Sequence, residues 1–194
     1  GVDLARKEIS RRQQAVIVEG YTDVMAAHLS GIETAVATCG TAFGVDHIKV
    51  LRRLLMDQDE FRGQVIFTFD GDAAGRKAAL RAFNEDQRFV SQTFVAIEKT
   101  GLDPCELRLQ QGPEVVRELV ARRTPLFEFV IRATLDDYDL NTAEGRVAGL
   151  RAVAPVLATV RDRSRRPEYA RLVGGWLGME PGAVSDAVRQ ATAK

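Results

Sequence analysis

The stretch Val65-Ile66-Phe67-Thr68-Phe69-Asp70-Gly71-Asp72-Ala73-Ala74-Gly75-Arg76 decides how the rest of the chain is read. Its first five residues are β-branched or aromatic, the composition of a short strand buried on both faces. The run stops at two aspartates separated by a glycine. Helical spacing then takes over, with Ala74, Ala78 and Ala82 four apart and Leu80 and Phe83 three apart. This order puts Asp70 and Asp72 beyond the carboxyl end of a strand, where ligands bind in open α/β sheets. Gly71 lets the backbone turn tightly between them. Two readings of the pair stand at this point. Hard carboxylates suit Mg²⁺ or Mn²⁺, which take oxygen ligands and keep waters for substrate phosphates. Either aspartate also serves as an ordinary cap of the helix that follows.

Upstream, Ala15-Val16-Ile17-Val18 reads as a buried strand ending at Glu19-Gly20. A helix is expected from Tyr21, with Thr22 as its cap, Val24, Met25, His28 and Leu29 as its apolar face, and Gly31 as its stop. His28 reads as a packed helix residue. Thr34-Ala35-Val36-Ala37 forms the second strand, followed by the turn-rich loop Cys39-Gly40-Thr41-Ala42-Phe43-Gly44. An amphipathic helix carrying Ile48, Leu51, Leu54 and Leu55 comes next, with His47 on the surface at its start. Downstream of the aspartates a helix is expected to about Gln87, then a fourth strand, Gln92-Thr93-Phe94-Val95-Ala96-Ile97. It leads into Gly101-Leu102-Asp103-Pro104-Cys105-Glu106, a turn that opens a helix with proline in its first turn.

Alternating strands and helices predict an α/β fold, a mainly parallel four-stranded sheet with helices on both faces. The first, third and fourth strands each end in acid: Glu19, Asp70 with Asp72, and Asp103. In a parallel sheet those ends share one edge. One such acid is ordinary capping; three strand ends carrying acids point to a site.

Beyond Gly112 the strand pattern gives way to helical segments near 114–122, 125–135, 142–160, 166–177 and 183–192, with Pro155 expected to kink or interrupt the third. The domain boundary is therefore drawn at 1–123 and 124–194. Two charged runs, Arg6, Lys7, Arg11 and Arg12 near the start and Arg161-Asp162-Arg163-Ser164-Arg165-Arg166 in the helical region, read as solvated surface.

The composition is that of an ordinary globular chain, 45% hydrophobic and 28% charged over 194 residues. With 27 basic and 27 acidic residues there is no overall polyanion-binding charge, so any nucleic-acid contact is local or comes from other chain. Cys39 and Cys105 are far apart and form no CxxC pair, and with two histidines they argue against zinc. Two thiols and no secretory leader favour a reducing, cytoplasmic setting, and no apolar run reaches transmembrane length. Opening at Gly1-Val2-Asp3-Leu4 without methionine, the chain is expected to be part of something longer.

Val16-Ile17-Val18-Glu19-Gly20-Tyr21-Thr22-Asp23-Val24, with Phe69-Asp70-Gly71-Asp72-Ala73-Ala74-Gly75-Arg76-Lys77-Ala78-Ala79, resembles the Toprim domain of bacterial DnaG-type primases. Toprim is the catalytic fold those primases share with type IA and type II topoisomerases and some nucleases. The Cys39-Gly40-Thr41 loop, Asp103-Pro104 and the tail from Thr124-Pro125-Leu126 extend the resemblance over about residues 5–190. It implies a metal-dependent nucleotidyltransferase that makes short RNA primers on single-stranded DNA. Its implied ligands for two or more Mg²⁺ or Mn²⁺ ions are Glu19, Asp70, Asp72 and Asp103. The resemblance makes Glu19, Asp23, Asp70 and Asp72 the catalytic acids, and Gly20, Arg76 and Lys77 the nucleotide contacts. Its implied partners are single-stranded template, ribonucleoside triphosphates, the RNA–DNA hybrid and a replicative helicase, the last through a domain expected to be absent here. The zinc-binding domain and the basic subdomain that precede Toprim in those primases have no counterpart here, and no membrane association is expected.

The chain departs from the family at Cys105, where the pattern has a second aspartate after Asp-Pro. Thiolate is a poor ligand for Mg²⁺, so one outer metal position is expected to be weakened or taken by water unless Glu106 substitutes. Three other readings compete. A haloacid-dehalogenase-like phosphatase would use Asp70 as nucleophile, but Ala73-Ala74 lacks that family's Thr or Val and Glu19 stays unexplained. A topoisomerase needs a cleavage tyrosine, and Tyr138 and Tyr169 sit in helical contexts. A non-catalytic metal- or nucleotide-binding and partner-docking module is the reading from outside enzymology.

Overall fold

In the computed structural model, residues 1–40, 43–55, 63–70, 93–160 and 164–192 are described. The element order opens with helix α1 (Val2–Arg12), strand β1 (Gln14–Val18), α2 (Tyr21–Leu29), β2 (Ala35–Ala37), α3 (Val45–Leu54) and β3 (Gln64–Asp70). It continues with β4 (Thr93–Glu98), α4 (Pro104–Gln111), α5 (Pro113–Ala121) and β5 (Thr124–Pro125). Four further helices follow: α6 (Leu126–Leu135), α7 (Ala143–Ala158), α8 (Arg166–Leu177) and α9 (Pro181–Thr192). The chain divides into two compact units, Gly1–Phe129 and Val130–Lys194.

The first unit is built on a five-stranded sheet in the order β2-β1-β3-β4-β5. The first four strands are parallel, with Ile17 opposite Phe67 and Asp70 opposite Glu98. The fifth strand was not foreseen. Thr124 and Pro125 pair antiparallel with Val95 and Phe94, where the sequence places the start of an all-helical region. Two residues ending in proline are too short for a periodic signal, and a proline fits a sheet only at an edge. That is the place it takes here.

Apolar runs without alternation are the mark of strands covered on both sides. Ala15 through Val18, Val65 through Phe67, and Val95 and Ala96 are all buried. Val16, Val18, Ile66 and Ala96 join Val24 and Ala27 of α2, Leu107 of α4, and Val116 and Val120 of α5 in one core layer. Alternation sends Ile17 and Phe67 to the opposite face, where Phe43 meets Phe67 edge-on at 4.7 Å. Burying Phe67 or Ile66 stabilises the sheet by roughly 1.5–3 kcal/mol each.

Local details revise several expectations. Helix α2 is capped by Gly20, not Thr22: Asp23, three residues in, accepts the Gly20 N–H at 2.9 Å. The reach-back carboxylate satisfies the orphan donor, so a hydroxyl cap is not needed. Pro155 does not interrupt its helix, which runs on through Ala158. Near a helix C-terminus the missing bond is one of few still to be made, and neighbouring contacts carry the turn. The end of α7 is capped from outside, Arg166 donating to the Ala158 and Val160 carbonyls at 2.9 and 3.0 Å. The last arginine of the basic run is therefore a structural cap, while residues 161–163 lie outside the described residues. His28 meets the Ala35 carbonyl at 3.0 Å, and His47 accepts the Gly44 N–H and stacks on Phe43. Arg11 and Arg12 of α1 pair with Glu8, and Arg12 also with Glu33. The Arg11 hydrogen bond above all holds the Glu8 carboxyl down to about 2.

Candidate active site

The strand order creates the site. From β1 the chain moves outward to β2, then crosses back to β3 on the other side of β1. The strand order thus reverses between β1 and β3, and the carboxyl ends of strands at such a switch point are where open α/β sheets bind ligands. Glu19 follows β1, Asp70 ends β3, and Glu98 ends β4 in register with Asp70. Thr68 ties the two central strands near this edge, its Oγ1 donating to the Ile17 carbonyl at 3.0 Å.

Among the described residues, Glu19, Asp23, Thr68, Glu98, Asp103 and Leu119 line a cavity of about 120 Å³ at this edge. Organic-ligand pockets run to roughly 300 Å³ or more, so this cavity suits an ion with its waters. Glu19 is exposed. Asp103 caps α4: its Oδ1 accepts the Glu106 N–H at 2.7 Å, leaving Oδ2 outside that bond. Glu106 completes the box by accepting the Asp103 N–H at 3.3 Å, so its carboxylate turns to the backbone. Cys105 is a free, half-buried thiol in the first turn of α4.

Asp23 is the unusual member. It is 4% exposed, and its Oδ1 is buried with no hydrogen-bond partner of normal geometry. Burial pushes its carboxyl up, opposed by the N–H groups of Gly20 and Cys105, and nearby Asp103 and Glu106 add to the rise. A carboxylate oxygen in that condition is what a cation would satisfy. The donors in the cavity are hard oxygens, the set that Mg²⁺ and Mn²⁺ prefer. Among the described residues alone, no three His, Cys, Asp or Glu side chains are gathered closely enough to hold a metal ion. The fit therefore rests also on Asp70 and Asp72, whose side chains lie outside the described residues.

Of the residues singled out from the sequence, Glu19, Asp23 and Asp103 come together around the cavity. Gly20 stands beside them with its N–H committed to Asp23. The side chain of Asp70 and all of Asp72, Arg76 and Lys77 lie outside the described residues, as does the helix expected after them. Glu98 was missed. The sequence reading ended its strand at Ile97, yet an acid one position further, before Thr100-Gly101, is a signal of the same kind as Glu19 and Asp70.

Residues 13–99, which carry this sheet's four parallel strands, match the family model of the Toprim domain. Residues 127–182 match a second, the DnaB-helicase binding domain of primase. The DNA primase of Mycolicibacterium smegmatis is 57% identical over 180 residues, covering 93% of this chain and 28% of that protein. The RNA polymerase domain of Mycobacterium tuberculosis primase DnaG, solved in complex with double-stranded DNA, superposes with a TM-score of 0.83. That pair shares 56% identity over 92% of this chain and 56% of the other. A DnaG primase catalytic domain bound to single-stranded DNA gives 0.74 at 29% identity, over 92% of this chain and 56% of that one. The chain thus belongs to the DnaG-type DNA primases, as a Toprim domain with the helical region that follows it.

The chain spans little more than a quarter of the length of the curated relatives it matches. The second family match corrects one expectation: a region of the helicase-binding type is present, in residues read as helices of no assigned purpose. Amphipathic periodicity reports which helix face is buried and not what the other face docks, so the pattern could not show it. No helix among the described residues is long and apolar enough to cross a membrane.

Proposed function

We propose that this chain is the catalytic part of a primase, joining ribonucleotides into short primers on a single-stranded DNA template. The observation that carries the reading is the convergence of Glu19, Asp23 and Asp103 at the switch point of a sheet whose neighbouring strand ends in Asp70. The primase relatives and the DNA-bound structures of their catalytic domains support it. Nothing favours the phosphatase or the purely binding readings.

In this proposal Glu19, Asp70, Asp72 and Asp103 hold two or more Mg²⁺ or Mn²⁺ ions. When bound, such ions place positive charge against the triphosphate and stabilise the attacking and leaving oxygens of an in-line displacement. The primer's 3′ hydroxyl attacks the incoming nucleotide's α-phosphate and pyrophosphate leaves. Glu19 stands where it either adds a ligand or takes the hydroxyl proton. Asp23 braces the turn by holding the Gly20 N–H and lines the cavity. Arg76 and Lys77 are assigned to the phosphate oxygens. The ligands of the site are thus ribonucleoside triphosphates, template strand and the growing RNA–DNA hybrid. Residues 127–182 are assigned to docking a replicative helicase, and the setting is cytoplasmic.

The test is a Mn²⁺ titration read by electron paramagnetic resonance on the chain, Asp70→Asn and Asp72→Asn. Saturable binding that both variants lose is expected. Equal binding by all three would remove the site from the end of β3.

A further inference from the structure

The loop between β4 and α4 has five residues to turn from the sheet edge into a helix whose cap is Asp103. Gly101 makes the turn possible with φ at +79°, in the left-handed region where a side chain is strained. A short loop with exposed N–H groups does not hold one shape by itself. Here one oxygen gathers it. Glu98 Oε2 accepts the Thr100 N–H at 2.6 Å, the Thr100 hydroxyl at 2.7 Å and the Leu102 N–H at 3.0 Å. Burial works to raise the Glu98 carboxyl, and the bonds from Thr100 and Leu102 outweigh it, holding it below the usual carboxylate range.

Glu98 also lines the cavity alongside Glu19, Asp23 and Asp103, and is paired in register with Asp70. It therefore touches the site from two directions, as the strand residue beside Asp70 and as the clamp of the loop that ends in Asp103. A residue that only stabilised the fold would have no need to be at this edge. With Oε2 committed to those three donors, what ties Glu98 to Asp103 is the loop it gathers.

Resting on the function proposed above, we infer that Glu98 is a positioning residue: by clamping residues 100–102 it holds Asp103 in place on the cavity where a cation would bind. Residues behind a ligand that fix its place typically change metal affinity by about 10–100-fold. Glutamine keeps an oxygen at the same reach and can accept the same donors, whereas alanine cannot.

Manganese titration by electron paramagnetic resonance on wild type, Glu98→Ala, Glu98→Gln, Thr100→Ala and Asp70→Asn tests this. The inference expects Glu98→Ala to weaken Mn²⁺ binding by roughly tenfold or more. Glu98→Gln should recover most of that loss, and Thr100→Ala, which removes one of three bonds, should fall between wild type and Glu98→Ala. If Glu98→Ala does not fold, the order wild type, Glu98→Gln, Thr100→Ala in falling affinity is the supporting result, and three equal affinities overturn the inference. Glu98→Ala binding like wild type while Asp70→Asn does not bind would overturn the clamp and leave the proposed function standing. Glu98→Gln as weak as Glu98→Ala would also overturn it, by showing that the charge itself binds the ion. Unchanged binding in Asp70→Asn would remove the proposed site and the inference with it.

Discussion

Asp23 is buried among other acids, with one oxygen on the Gly20 N–H and the other lacking a hydrogen bond of normal geometry. Burial, first, and the charges of Asp103 and Glu106 make the folded chain hold the Asp23 proton more tightly than the unfolded chain does. A raised acid of this kind favours folding below the unfolded value of about 4, and that contribution is lost as pH rises through the folded value. Asp23→Asn keeps an acceptor for Gly20 and removes the charge. In the absence of divalent ions it should melt at a higher temperature than wild type near pH 7, with the gain shrinking as pH falls toward about 4. Melting curves by circular dichroism across that range check this, and a gain independent of pH would show that charge burial is not its cause. At this scale the sequence was a partial guide. Its strand-end position marked Glu19 as a site residue and the family resemblance added Asp23, but the surroundings of the Asp23 carboxylate depend on what α4 places against it. Glu98 was legible only as one acid among many until its strand was paired with β3.

Among the elements, α7 shows how little room a helix start can leave. Thr142 caps it by accepting the Gly145 N–H at 3.0 Å, and the Asp139 carbonyl lies so close that a Cβ on Gly145 would be driven into it. Backbone cannot yield as a side-chain tip can. Gly145→Ala should therefore destabilise the helical unit by about 1–3 kcal/mol. Gly175, inside α8, has open space around its missing Cβ, and Gly175→Ala should stabilise by about 0.5–1 kcal/mol through helix propensity. Urea unfolding followed by circular dichroism measures both, and a shift of the same sign in the two variants would contradict the steric argument. The positions of helices and strands were largely readable because their apolar periods differ. The first turn of α2 was read less well, since a glycine cap assisted by Asp23 looks in sequence like a plain turn followed by threonine. So was Pro155, whose effect depends on how much helix remains beyond it.

The whole chain carries equal numbers of acidic and basic residues and spans little more than a quarter of the curated relatives it matches. Phosphate contacts dominate the affinity of most nucleic-acid-binding proteins and require clustered basic charge. The chain as given should therefore synthesise little or no primer unaided, measured as labelled ribonucleotide incorporated on single-stranded DNA with Mn²⁺; robust synthesis would show that the template is held by this chain alone. The sequence by itself determined the α/β class, the parallel strands and the acids at their ends, because burial on both faces and the turn from strand to helix leave local marks. Only the tertiary structure decided that β1, β3 and β4 lie side by side, that a two-residue β5 lies at the edge, and that Glu98 pairs in register with Asp70 and bonds the loop leading to Asp103. Strand order and cross-strand register join residues distant in the chain, and no local pattern encodes which distant partner a strand will take.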